Sequence, residues 1–181
     1  LIKNYKKMIT MDLKEINNLV LIIGKTEGHI DQSLFARTIL DEKNGPPPEI
    51  NLFNEKNNGE SLLNLIEKDY IKSAHDISLG GLITAISKMC IKGDKGIKLK
   101  KPKNLINEIE YLFAEDQGRY LIEINPQDLK KVSKILDKNS VFHEELGLII
   151  DKEIIINEKT KLTIDELRSY NTSWLKNYMD A

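Results

Sequence analysis

The chain has 181 residues, 27 basic and 28 acidic side chains, a net charge of −1 and 40% hydrophobic content. This length suits one large domain whose core needs no disulfide or metal staple, and the charge balance argues against a general nucleic-acid binder. The single Cys90 cannot form an internal bridge, the apolar run Leu19–Ile23 is far too short to span a bilayer, and no secretory leader is visible, so a cytoplasmic protein without membrane contact is expected. The absence of an initiator Met suggests a part of something longer.

In chain order, the alternation Met8–Lys14 predicts a short strand, Asn17-Asn18 a turn, and Leu19–Ile23 a buried strand ending at Gly24. A polar loop, residues 24–33, leads into a helix over Leu34–Leu40 with Asp31 or Ser33 as its N-cap. Gly45-Pro46-Pro47-Pro48 forms a stiff connector, and Phe53–Lys68 a helix interrupted by Gly59. Tyr70–Ile77 reads as a strand broken by Ser78-Leu79-Gly80-Gly81. The amphipathic helix that follows carries Leu82, Ile83, Ala85, Ile86, Met89 and Cys90 and stops at Gly93–Gly96. Then come a strand over Ile97–Lys100, a helix over Leu105–Phe113, a strand over Arg119–Ile124 and a helix over Gln127–Lys138. The segments Glu145–Ile150 and Lys152–Asn157 read as a hairpin, and a last helix starts at Thr163 with Glu166 in the capping-box position. Interleaved helices and strands place the chain in the α/β (α+β) class, a mixed sheet covered by helices in a mostly two-layer arrangement.

Three segments carry unusual chemistry. Gly24–Ser33 joins a buried strand to a helix N-terminus, where backbone N–H groups can receive phosphate, although no Walker A spacing is present. In Ser73–Leu82, His75 and Asp76 should point to opposite faces of their strand, and Gly80-Gly81 permits close approach to a ligand or to another backbone. In Leu112–Tyr120, Glu115 and Asp116 flank a turn with Arg119. Only Arg37, Arg119 and Arg168 are arginines in a lysine-rich chain, which marks Arg119 for its planar donor geometry; the bland reading is a carboxylate–Arg119 brace. Scattered His29, His75 and His143 make no zinc site.

Together these segments resemble the C-terminal part of the phosphoribosylformylglycinamidine synthases. Leu21–Ser33 is similar to "IALIGETKGHLGQS", Gly45–Leu52 to "GxPPPVDL", Ala74–Leu82 to "AHDxSDGGL" and Leu112–Tyr120 to "LFGEDQGRY". The resemblance implies an AIR-synthase-like C-terminal domain, with residues 1–18 the tail of a preceding sheet domain and 19–181 the domain itself. It implies a ligase that uses ATP, Mg2+ and glutamine to convert formylglycinamide ribonucleotide to formylglycinamidine ribonucleotide. Its catalytic and metal-binding residues would lie upstream, leaving this chain inactive alone and without tightly bound nucleotide. The implied partners are an upstream ATP-binding half, a glutamine amidotransferase and a small accessory subunit; self-association of the piece stays open. Gly28, Gln32, Ser33, His75, Asp76, Ser78, Gly80 and Gly81 are the candidate phosphate or nucleotide contacts, and Glu115 and Arg119 are structural. Leu79, Asp31 and Ala114 replace the family's usual Asp, Gly and Gly, which favours a structural half-site. A non-catalytic assembly module, or the matching domain of a selenophosphate synthetase or thiamine-monophosphate kinase, is the alternative.

Overall fold

The computed structural model describes residues 4–102, 107–157 and 160–180. Seven strands form one sheet: β1 (Leu19–Ile23), β2 (Ile71–Asp76), β3 (Gly96–Leu99), β4 (Tyr120–Ile124), β5 (His143–Ile150), β6 (Glu153–Ile155) and β7 (Lys161–Thr163). Their order is β2-β4-β1-β5-β3-β6-β7, and every pair is antiparallel except the parallel β3–β6.

The apolar run of β1 places it near the centre, because it is buried on both faces. Val20 and Ile22 enter one cluster with α3 (Gly81–Gly93), α4 (Glu108–Phe113) and the start of α6 (Ile164–Met179). Leu21 and Ile23 enter the other, with α2 (Leu52–Glu67) and α5 (Leu129–Lys138). Helices therefore cover both faces, and the fold has three layers where two were expected. An unbroken apolar run is the signature of a strand covered on both sides.

Several expectations need correction. Met8–Lys14 is irregular, because its polar groups bond outside any ladder: Leu13 N–H donates to the Met89 carbonyl and the Thr10 carbonyl accepts from Ala74 N–H. Gly59 lies inside α2 without breaking it, and a Cβ there would meet only the Tyr120 hydroxyl, at 3.8 Å. The start of the predicted helix at Leu105 lies outside the described residues. The expected hairpin does not form. β5 pairs with β3 along Gly96–Leu99, so the chain beyond Asp151 pairs with the far edge of β3. A Cβ at Gly96 would overlap the Glu153 backbone, so glycine permits that neighbour.

Helix ends follow their capping residues. Ser33 Oγ accepts from Ala36 N–H at α1 (Leu34–Thr38), and Asn51 Oδ1 accepts from Asn54 N–H at α2. Thr163 and Glu166 form the expected capping box on α6. No helix among the described residues is long and apolar enough to cross a membrane.

Candidate functional site

The turn between α4 and β4 brings the three motif segments together, through its two acids. Asp116 Oδ2 accepts from the backbone N–H groups of Glu27 (3.0 Å) and Gly28 (3.1 Å), and its Oδ1 accepts from His29 (3.1 Å). Three successive N–H groups converging on one acceptor form an anion nest of the kind that receives phosphate; here a carboxylate of the chain fills it. The neighbouring Glu115 Oε1 accepts from Leu34 N–H at the start of α1 and from Gly80 N–H at the start of α3, each at 2.8 Å.

Arg119, buried at 1% exposure, braces the turn from beneath. Its Nε donates to the Asp116 carbonyl, Nη2 to the Ala114 carbonyl and Nη1 to Thr26 Oγ1. The expected carboxylate pairing reduces to one long contact with Asp116, 3.9 Å, while Glu115 serves backbone amides instead. Burial pulls the Arg119 pKa below its ordinary value, with Asp116 opposing.

The predicted contact residues separate into two groups. Gly28 donates to Asp116 and Ser33 caps α1. Gln32, at φ 62°, donates to the Lys43 and Gly45 carbonyls, and its Oε1 accepts from Arg37. Gln32 thereby stitches the 24–33 loop to the start of the proline connector. The second group lies at the end of β2. The Ser78 carbonyl accepts from Gly81 N–H, and Gly80 and Gly81 adopt φ of 85° and 69°. A Cβ on Gly81 would sit 2.7–2.8 Å from the backbone of Leu112, Phe113 and Ala114, so close packing is what this glycine serves. His75 Nδ1 lies 3.2 Å from Asp76 Oδ1, so the two side chains meet at the strand end instead of diverging. Burial lowers the His75 pKa, partly offset by Asp76. Leu79, which departs from the pattern that the resemblance implies, is exposed.

Beside the turn lies a cleft of about 750 Å3, walled by Pro46–Pro48, the first turns of α2 and residues 116–118. Its lining carries Glu27, Glu49, Glu55 and Asp116 against the single cation Lys25, which pairs with Glu27, so its charge is acidic and unsuited to free phosphate. Asn58 closes its floor, donating to the Gly118 carbonyl at 2.8 Å. Sequence reasoning missed the α2 wall; the proline run leading into the Asn51 cap was the available signal. Among the described residues no group of three or more His, Cys, Asp or Glu could hold a metal ion.

A mixed sheet covered by helices, with glycine loops locked by a Glu-Asp turn, fits one class. The chain belongs to the family of AIR synthase related proteins, C-terminal domain, which matches residues 15–157. It is 66% identical over 180 residues to the phosphoribosylformylglycinamidine synthase subunit PurL of Pelagibacter ubique (strain HTCC1062), covering 99% of this chain and 25% of that protein. Against the subunit PurL of Bartonella henselae it is 35% identical over 179 residues, 99% of this chain and 24% of that protein. The chain thus spans about a quarter of the length of these relatives. Among solved structures, Thermotoga maritima PurL complexed with FGAR shares the fold with a TM-score of 0.74 at 18% identity, over 91% of this chain and 30% of that one. The thiamine-monophosphate kinase of Stenotrophomonas maltophilia follows it more loosely, with a TM-score of 0.55 at 12% identity over 81% of this chain and 52% of that one.

Proposed function

We propose that this chain is the C-terminal domain of a phosphoribosylformylglycinamidine synthase, a ligase that uses ATP and glutamine-derived ammonia to convert formylglycinamide ribonucleotide to formylglycinamidine ribonucleotide. The observation that carries the reading is 66% identity to the Pelagibacter subunit PurL along 99% of the chain. In this reading residues 1–18 lead in from a preceding sheet domain and 19–181 form the C-terminal unit. The upstream ATP-binding half supplies the reacting groups. A glutamine amidotransferase and a small accessory subunit complete the assembly, a reading supported by the solved structure of PurLQS from Thermotoga maritima. The protein works in the cytoplasm.

ATP and Mg2+ belong to the whole ligase. The residues here do not fit a nucleotide phosphate: Asp116 and Glu115 already engage the loop amides, and the adjoining cleft is acidic. Gly28, Gln32, Ser33, His75, Asp76, Ser78, Gly80 and Gly81 therefore serve to shape a wall of the active cleft, with Glu115 and Arg119 as its frame. The same geometry favours the second reading, a purely architectural module, on the side of the loops.

A chimera tests the proposal. This chain replaces the corresponding quarter of the Pelagibacter subunit, and ammonia-dependent, ATP-driven amination of formylglycinamide ribonucleotide is assayed. Retained turnover is the expected result. A folded chimera that binds ATP yet shows no amination overturns it, and turnover by the 181-residue chain alone contradicts the assignment of the reacting groups to the upstream half.

A further inference from the structure

The loop that follows β1 is folded around a negative charge. Asp116 Oδ2 accepts from Glu27 N–H at 3.0 Å and Gly28 N–H at 3.1 Å, and Oδ1 from His29 N–H at 3.1 Å. Gly28 has φ 90°, the left-handed conformation that turns successive amides toward one point. Behind the carboxylate lies the buried Arg119. Its three hydrogen bonds all go to neutral oxygens: the carbonyls of Asp116 and Ala114 and the hydroxyl of Thr26. Among the described residues, Asp116 is the carboxylate within ion-pair distance of that guanidinium, at 3.9 Å. A buried cation and three convergent amides are costly to leave without an anion. Asp116 lines the adjoining cleft, so the place it holds borders solvent.

We propose that the amides of residues 27–29 and the Arg119 guanidinium form a carboxylate-binding site that Asp116 occupies from within the chain, and that the site takes a free carboxylate once this side chain is removed. The ligand class follows from the occupant. A planar, singly charged group meets donors on both oxygens, two amides at one and one at the other. Phosphate is disfavoured, because Glu27, Glu49 and Glu55 also line the cleft and Lys25 pairs with Glu27 at 2.8 Å. Glu115 cannot stand in for Asp116, since its Oε1 is held by the Leu34 and Gly80 amides. Tethering gives Asp116 a local concentration that no free carboxylate matches, so the native site is closed to competitors. The fold of the 24–33 loop is thus conditional on an anion. This inference stands independently of the proposed enzymatic role.

Chemical rescue tests it. Asp116→Ala deletes one carboxylate group, the size of formate, and Asp116→Gly deletes the methylene as well, the size of acetate. In both variants amide exchange at Glu27, Gly28 and His29 should quicken about tenfold or more. Formate should slow it again in the alanine variant and acetate in the glycine variant, saturably and in the millimolar range, while sodium chloride at equal ionic strength does not. In the parent, and in Asp116→Asn, whose side chain still fills the site, neither salt should change the exchange. Equal slowing by chloride, no slowing by either carboxylate, or the same response in the parent or in Asp116→Asn overturns the proposal. Should a variant fail to fold in plain buffer, circular dichroism during refolding decides. Recovery in formate or acetate but not in chloride supports the site, and failure in all three overturns it.

Discussion

Glu115 and Gly80 meet at 2.8 Å, carboxylate oxygen to backbone amide, and the same oxygen holds Leu34 N–H at 2.8 Å. One atom thus ties the start of α1 to the start of α3, elements 46 residues apart in sequence. Both partners are orphan donors at helix N-termini, which favour a negative acceptor. The two glycine-containing loops are thereby joined through one carboxylate oxygen.

Glu115→Ala should therefore loosen two loops together. The expected loss is about 1–3 kcal/mol in urea unfolding. Amide exchange should accelerate at Leu34 and Gly80 alike. Glu115→Gln, which keeps one acceptor oxygen but no charge, should fall between. Exchange that rises at only one of the two amides would show the loops to be independent.

Two glycines make a contrasting pair. Gly81 has φ 69° and backbone atoms within 2.8 Å of where a Cβ would lie, so Gly81→Ala should cost about 2–4 kcal/mol. Gly59 sits inside α2 with only the Tyr120 hydroxyl near, at 3.8 Å, so Gly59→Ala should stabilise by about 0.5–1 kcal/mol. Equilibrium denaturation of both variants separates the two roles.

These same glycines show which parts of the architecture were legible in advance. β1, α3 and the Thr163–Glu166 box were readable because each is decided by residues near one another in the chain. Gly59 misled because propensity is local, while the packing of α2 onto the sheet outweighs one poor helix former. Strand pairing was not readable. Alternation says which residues of β5 and β6 face inward, yet says nothing of β3 lying between them. At the site, the three motifs that stand out in the sequence lie against one another in the fold. Their mutual arrangement, with Asp116 closing the nest of residues 27–29, rests on contacts nearly 90 residues apart in sequence that no local pattern encodes.

Glu123 on β4 is fully buried, and its partners are neutral donors. Its Oε2 accepts from Lys14 N–H and Ser73 Oγ, and its Oε1 from Glu15 N–H and Asn18 Nδ2. All four lone-pair positions face donors, so this side chain pins the segment before β1 to the sheet. Glu123→Gln turns one acceptor into a donor; the amide will favour the Ser73 side, where a hydroxyl can reverse its role, and Lys14 N–H is left unpaired. A loss of about 2–4 kcal/mol is expected, with amide exchange at Lys14 rising most. A variant as stable as the parent would mean that water serves these donors equally well.

His75 gives the acid side of the stability profile a testable shape. Burial holds its pKa below the ordinary 6.5, so the folded state binds a proton less readily than the unfolded chain. Its contribution is therefore complete above pH 6.5 and is lost as the pH falls through the lowered value. His75→Gln should lose less stability than the parent between about pH 7 and pH 5. Denaturation midpoints at the two pH values check this; parallel losses in both proteins would remove His75 from the account.

Cys90 works at the opposite end of the pH scale. It lies fully buried on the inner face of α3, where desolvation alone pushes its thiol up from 9.0 to about 12. The unfolded chain releases that proton near pH 9.0 and the folded chain only near 12. Stability drawn from the neutral thiol is thus complete below 9.0 and disappears as the pH climbs toward 12. Cys90→Ala loses about 1 kcal/mol of packing at neutral pH. Between about pH 9 and pH 11 that deficit should shrink, because the alanine variant has no proton to release. In the parent at about pH 8, a thiol reagent should label Cys90 only as fast as the fold opens, with denaturant raising the rate in step with unfolding. Immediate labelling of the native chain would place the sulfur outside the packed layer between α3 and the sheet.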